Sequence, residues 1–214
     1  MTTVREPAVA GTFYPNDAAT LSALISTYLE GDAGLDCPKA IIAPHAGYIY
    51  SGAIAGEVYR KLGSAHDRIK RVVLLGPSHR VAFKGMAVPS STSFRTPLGD
   101  IPIDSECIQQ IVGGASVGFL DEAHREEHSL EVHLPFLQHV LDDFTLVPIV
   151  VGDASKEAVA TVLEKLWGGD ETLIVISSDL SHFEAYDTAN SIDANTTRKI
   201  MTLDATLKGD EACG

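Results

Sequence analysis

Arg71-Val72-Val73-Leu74-Leu75-Gly76-Pro77-Ser78-His79 is the stretch that decides the fold. Its apolar run is continuous rather than alternating, as expected of a strand buried on both faces of a parallel sheet. Gly76 and Pro77 then force the chain out of the sheet, and a histidine follows. A buried apolar run followed by a histidine-bearing polar motif recurs twice. Ala40-Ile41-Ile42-Ala43 leads into Pro44-His45-Ala46-Gly47-Tyr48, and Thr172-Leu173-Ile174-Val175-Ile176 leads into Ser178-Asp179-Leu180-Ser181-His182. In an open α/β sheet, ligands bind in the crevice beyond the carboxyl ends of the strands. Polar groups leaving several such ends should therefore converge on one site, expected to be a metal site. The strands before His45 and His79 are expected to be neighbours.

Around these strands the apolar spacing predicts helices over 18–29 (with Asp17 as cap), 51–62, 105–111, 155–167 and 187–207, and a further strand over 144–151. Gly52, Ala53, Ala55 and Gly56 are small enough for close packing on the sheet. Residues 130–141 read as helical, with Pro135 interrupting or restarting the helix. The turn formers of residues 81–104 predict a hairpin excursion turning near Gly99, and residues 112–127 a glycine-containing loop followed by a polar stretch. Strand and helix alternation of this kind predicts an α/β fold: a single domain over residues 1–214, its mostly parallel central sheet flanked by helices.

The net charge of −13, from 16 basic against 29 acidic residues, argues against a nucleic-acid partner, because phosphate binding needs a basic face. Cys37, Cys107 and Cys213 are odd in number, far apart and form no C-x-x-C pair. Disulfide scaffolding and a zinc ribbon are not expected, and a reducing, cytoplasmic compartment is. No signal peptide and no apolar run long enough to span a membrane is legible, so no membrane association is expected.

Neutral imidazole is the commonest metal ligand and also a general base near neutral pH. His45 and His79, at matching strand ends, are the first candidates. The bland alternative is a histidine hydrogen-bonded at a sheet edge. Asp179 and His182 can orient one another, support a ligand or ligate directly, although Ser177, Ser178 and Ser181 also suit a polar turn capping a helix. His128 sits at a helix start, where it can face the crevice. His133 is expected to pack under that helix, and His66 and His139 to lie on the surface. The run around His124 otherwise reads as a solvated loop with Ser129 as N-cap. No G-x-S-x-G, Walker loop, G-x-G-x-x-G or H-E-x-x-H motif is present. Cys213 can join the site as a thiolate only if the chain folds back.

Five segments together resemble the Memo family, also called AmmeMemoRadiSam system protein B. They are Arg5-Glu6-Pro7-Ala8-Val9-Ala10-Gly11-Thr12-Phe13-Tyr14-Pro15, Pro44-His45-Ala46-Gly47-Tyr48-Ile49-Tyr50-Ser51-Gly52, Leu75-Gly76-Pro77-Ser78-His79, Glu127-His128-Ser129-Leu130-Glu131-Val132-His133-Leu134-Pro135-Phe136, and Ser177-Ser178-Asp179-Leu180-Ser181-His182. The resemblance covers nearly the whole chain and implies the fold of class III extradiol dioxygenases, which open catechol rings with non-haem Fe(II). Carried over by motif, it implies His45, His79 and Cys213 as metal ligands. Asp179 and His182, with His128 across from them, would line the same pocket as catalytic groups. It also implies a functional link to a radical-SAM protein. Family members run several tens of residues beyond the Cys-Gly segment, so the C-terminal end is expected to be short relative to the family.

Ring-cleaving dioxygenases use two histidines and a carboxylate. A thiolate in place of the carboxylate is softer and more readily oxidised, favouring copper, zinc or redox-active iron. The expectation is therefore a transition-metal protein holding Fe(II), Cu or Zn in a His/Cys pocket, with oxidoreductase or dioxygenase-like chemistry on a small molecule. The rival expectation is a metal-free module that binds a peptide or protein in the same crevice. A metallohydrolase using His45, His79 and Asp179 around zinc is a further one.

Overall fold

The computed structural model describes residues 3–34, 36–114, 116–207, 209 and 211–213. Its centre is β3 (Arg71–Pro77), paired in parallel with β8 (Thr145–Val151) on one side and β9 (Thr172–Ser177) on the other. Val72, Val73 and Leu74 are fully buried, as the unbroken apolar run requires. Each such side chain contributes about 1.5–3 kcal/mol of burial. Beyond β9 lies β2 (Ala40–Ala43), also parallel. Beyond β8 come β4 (Met86–Val88), antiparallel to it, and β7 (Val117–Phe119), parallel to β4. Among the described residues the main sheet thus has the order β2-β9-β3-β8-β4-β7.

Two expectations about this sheet need correction. β9 lies between β2 and β3, so the strands that precede His45 and His79 are not neighbours. β2 is an edge strand and alternates: Ile41 and Ala43 are buried, whereas Ile42 is 44% exposed. A four-residue apolar run does not by itself tell an edge from a centre.

Helices α1 (Ala18–Tyr28), α2 (Tyr48–Tyr59) and α5 (Leu134–Val140) pack on one another, and α3 (Ser105–Ile111) packs on α6 (Lys156–Leu166). Asp17 caps α1 by accepting from the Thr20 N–H, and Ser155 caps α6 through Ala158. Gly52 and Gly56 serve the helix pair rather than the sheet. A Cβ on Gly56 would collide with the Tyr28 carbonyl, and one on Gly52 with the Tyr28 ring. α2 also begins three residues before its predicted start, because the Phe13 carbonyl accepts from the Tyr48 N–H at 2.8 Å and does the work of a cap.

The excursion after β3 contains more structure than a hairpin. β5 (Ser93–Thr96) and β6 (Gly99–Pro102) form the expected antiparallel pair, turning at Gly99 with φ +127°. β1 (Val4–Arg5) adds to β5 in parallel to make a second, smaller sheet. β7 falls inside the predicted glycine loop, and α4 (Asp121–Arg125) inside the predicted polar stretch. Pro135 restarts the helix as expected: a 3-10 turn over Glu131–His133 precedes α5, with proline in its first turn. α7 (Tyr186–Met201) ends before residue 207, where Leu203 adopts φ +55°. No described helix is long and apolar enough to cross a membrane.

Candidate metal centre

Three adjacent strands, β2, β9 and β3, end at the same rim. Ala43 at the end of β2 is in register with Ser177 at the end of β9, and Leu75 of β3 with Ile176. Parallel strands are about 4.8 Å apart, so two strand spacings separate the exits of β2 and β3. The side chains close that gap. The His45 and His79 ring centroids are 5.1 Å apart.

His45 is buried. Its N–H donates to Asp179 Oδ1 at 2.7 Å, and its ring Nδ1 lies 2.7 Å from Ser177 Oγ. Burial pushes its imidazole down to about 4, against the opposing pull of Asp179. His79 is partly exposed and is gripped at two points by Glu127: its N–H donates to Oε2 at 2.6 Å, and Nδ1 meets Oε1 at 2.9 Å. Its Nε2 lies 3.1 Å from Cys213 Sγ. Cys213 and then Glu127 raise the His79 imidazole to about 10. Burial alone would raise the Glu127 carboxyl, but the His128 and His79 imidazoles and the N–H groups of His79 and Ser129 outweigh it and hold the group well below the usual carboxylate range.

His128 completes the cluster from the loop before α5. Its ring lies 4.5 Å from that of His79 and 5.6 Å from that of His45, and Phe13 backs it at 4.8 Å. His45, His79 and His128 each offer a ring nitrogen, and these atoms all lie within 4.8 Å of one another. Such a nest of nitrogen donors, beside a thiol, fits a borderline transition ion better than Mg²⁺ or Ca²⁺, which take oxygen ligands.

Asp179 and His182 stand at the same rim, Asp179 Oδ2 being 3.7 Å from His45 Nε2 and 3.8 Å from His182 Nε2. Cys213 arrives because the chain does fold back after α7. Glu211 pairs with Lys199 at 2.7 Å and receives Thr196 Oγ on its carbonyl, and the Cys213 N–H donates to the Asp179 carbonyl at 3.0 Å. A cavity of about 500 Å³ is lined by His45, His79, His128, Asp179, His182 and Cys213 together with Leu180 and Phe183. All six residues singled out from the sequence thus meet in one cavity.

The neighbouring histidines do not join them. His133 is buried under α5 as expected, its Nδ1 2.8 Å from the Tyr59 hydroxyl, and burial and then His45 push it down to about 3. His66 and His139 are exposed. The solvated-loop expectation around His124 fails. His124 is 2% exposed, its Nε2 lies 3.1 Å from the Ala87 carbonyl, and its own carbonyl accepts from Arg5 Nε. Ser129 is no N-cap either: its Oγ donates to the Pro77 carbonyl at 2.7 Å. Glu127 and Phe13 lay inside the quoted motifs with no role assigned to them, and Ser129 and Ser177 were read only as capping or turn residues. The one available signal was Glu127 directly before His128, and a glutamate in a polar run reads first as solvated.

Residues 5–211 match the family described as Memo-like protein. A "MEMO1 family protein" of Aquifex aeolicus is 41% identical over 195 residues, covering 89% of this chain and 72% of that protein. "MEMO1 family protein MTH_45" of Methanothermobacter thermautotrophicus is 35% identical over 221 residues, covering 95% of this chain and 78% of its own length. A third, from Saccharolobus islandicus, is 36% identical over 222 residues, with 94% and 77% covered. With the motifs, the α/β sheet and these relatives in agreement, the chain belongs to the Memo-like family, whose fold is that of the class III extradiol dioxygenases.

Proposed function

We propose that the protein binds one transition-metal ion (iron, copper or zinc) through His45, His79 and Cys213, with His128 as a further donor beside them, and carries out oxidoreductase chemistry in the cavity. The observation that carries this reading is the meeting of three ring nitrogens within 4.8 Å, brought from three separate stretches of chain. A bound ion of this class supplies Lewis acidity and, for iron or copper, one-electron chemistry. The protein's own residues supply the rest. Asp179 and His182 face the cavity as proton acceptor and donor for a bound small molecule, Phe13 walls off one side of His128, and Cys213 adds a soft donor that disfavours ions preferring an all-oxygen shell.

Metal analysis of protein purified without chelator tests this reading. Near-stoichiometric iron, copper or zinc that vanishes in the His45→Ala/His79→Ala double variant supports it; metal-free protein overturns it. Cys213→Ser and His128→Ala, measured singly, identify the third donor. Loading with Fe(II) without oxygen, then adding catechols and oxygen, tests ring cleavage: a yellow ring-opened product establishes it, and silence across a panel removes that chemistry while leaving the metal in place.

A second reading, a peptide-binding module using the same crevice, draws on the apolar side chains that line it. Phe183 is fully exposed there and Leu180 partly so. Full partner binding by metal-free protein would favour it.

A further inference from the structure

The hydrogen bonds behind His45 and His79 decide which nitrogen of each ring is free. Ser177 Oγ lies 2.6 Å from the Ser129 carbonyl, which can only accept, so the single hydroxyl proton of Ser177 is committed there. Toward His45 Nδ1, at 2.7 Å, the hydroxyl can then only accept, and Nδ1 must carry the ring proton. Glu127 Oε1, 2.9 Å from His79 Nδ1, imposes the same choice as a carboxylate acceptor. In both rings Nε2 is the atom on the cavity side: that of His45 lies 3.7 Å from Asp179 Oδ2, and that of His79 3.1 Å from Cys213 Sγ.

One residue joins the two arrangements. The Ser129 carbonyl takes the Ser177 hydroxyl, its N–H donates to Glu127 Oε1 at 2.9 Å, and its own hydroxyl ties it to Pro77 at the end of β3. His128 stands beside both anchored rings, and among the described residues its Nδ1 has no hydrogen-bond partner. Its Nδ1 is 3.2 Å from Glu127 Oε1 but out of line for a hydrogen bond.

We infer that Ser177 and Glu127, coupled through Ser129, are positioning residues that hold a proton on Nδ1 of both His45 and His79, so that Nε2 is the atom each ring turns to one cation, His79 giving up its Nε2 proton when the cation binds. The consequence for binding rests on the metal reading above; the proton placement does not. Partners of this kind behind a ligand typically change metal affinity by about 10- to 100-fold.

The test uses the full chain labelled with ¹⁵N-histidine and freed of metal by chelator. Long-range ¹H–¹⁵N correlation then reports the protonated nitrogen of His45 directly. The expected spectrum shows His45 protonated at Nδ1 in the wild type and shifted toward Nε2 protonation in Ser177→Ala. Co²⁺ titration followed by its absorption is expected to show Ser177→Ala and Glu127→Ala each weakened about 10- to 100-fold, with Glu127→Gln, which keeps an acceptor for Nδ1, closer to wild type. His45 protonated at Nε2 in the wild type overturns the inference, as does a Ser177→Ala variant with wild-type spectrum and affinity. If Ser177→Ala does not fold, the wild-type spectrum decides alone. Nδ1 protonation in a protein that binds no Co²⁺ leaves the inference standing and removes the metal reading instead.

Discussion

Removing the Glu131 carboxylate should cost more stability than any other single change in the loop before α5. Glu131 is wholly buried and serves four donors. Oε2 takes the Arg5 guanidinium and the Ala8 N–H (2.7 Å), and Oε1 takes the Val9 N–H (3.0 Å) and the Tyr14 hydroxyl (2.5 Å). Arg5 also donates from Nε and Nη2 to the His124 and Glu127 carbonyls and lies over the Phe94 ring. Breaking a buried ion pair from one side costs about 3–5 kcal/mol, because the surviving charge stays in the protein. Each stranded neutral donor adds about 1–3 kcal/mol, less where water follows into the gap, and neighbouring losses do not simply add. Glu131→Ala should therefore lose roughly 4–6 kcal/mol, a large share of the ~5–15 kcal/mol typical of a folded domain. Glu131→Gln keeps one acceptor oxygen but sets an NH₂ group against the two donors on the other side, so it should lose less than Glu131→Ala while still costing more than about 2 kcal/mol. Arg5→Met alone leaves the carboxylate unpaired, so Arg5→Met/Glu131→Gln should be more stable than the sum of the two losses. Urea unfolding at neutral pH, followed by circular dichroism with the slope checked for constancy, gives each value. A Glu131→Ala loss below about 1 kcal/mol, or strict additivity in the double variant, would refute the reasoning.

Gly76→Ala places a methyl 2.8 Å from Leu130 Cδ2 and 2.9 Å from Ser129 Oγ, and should cost about 1–3 kcal/mol together with a measurable loss of Co²⁺ affinity, since Ser129 is displaced with it. Acid should destabilise the fold in a defined window. Burial holds His45 and His124 down to about 4 and His133 to about 3, so between pH 6.5 and 4 the unfolded chain binds protons that the folded one refuses. Stability then falls as pH drops through that window, by about 3 kcal/mol per histidine at its lower end. His79, raised by Cys213 and Glu127, acts oppositely: its contribution is complete below pH 6.5 and is lost only as pH rises through about 10, so it leaves this slope unchanged. Urea midpoints that stay constant from pH 7 to 4.5 would contradict this. Phe183→Ser, at a fully exposed ring, should leave the urea midpoint unchanged within about 0.5 kcal/mol.

The sequence made the strand exits legible because each sets polar side chains directly after an unbroken apolar run, with Pro44 or Gly76-Pro77 marking two of the exits and serines the third. That combination carried His45, His79, Asp179 and His182 to one rim before any distance was known. Strand order was not legible. β9 enters between β2 and β3 from more than a hundred residues downstream, and periodicity contains no information about which buried strands are neighbours. Short elements also escaped. β7 has three residues and β1 two, below the length at which an alternation can be recognised. The buried acids were hidden for a different reason. Glu127 and Glu131 look like solvent-facing residues until their partners are known, and those partners, Arg5, Tyr14 and His79, lie 48 to 126 positions away.

Residues 127–133 are where stability and site geometry become one problem. Glu127 turns toward His79, His128 toward the cavity, Ser129 toward the ends of β3 and β9, Glu131 toward the N-terminal loop, and His133 toward Tyr59. That N-terminal loop returns the contact, since Phe13 packs on His128 and its carbonyl starts α2 just after His45. A weakened Glu131 contact should therefore loosen Phe13 and lower metal affinity although Glu131 lies outside the donor cluster. The two routes to lost binding can be separated. Glu131→Gln should lose affinity in parallel with global stability and regain it on cooling or in a stabilising osmolyte. Glu127→Ala should keep its affinity deficit under the same conditions, because the missing group acts on the His79 ring itself. If both variants recover together, the segment holds the site only by keeping the protein folded, and the separate role assigned to Glu127 is wrong.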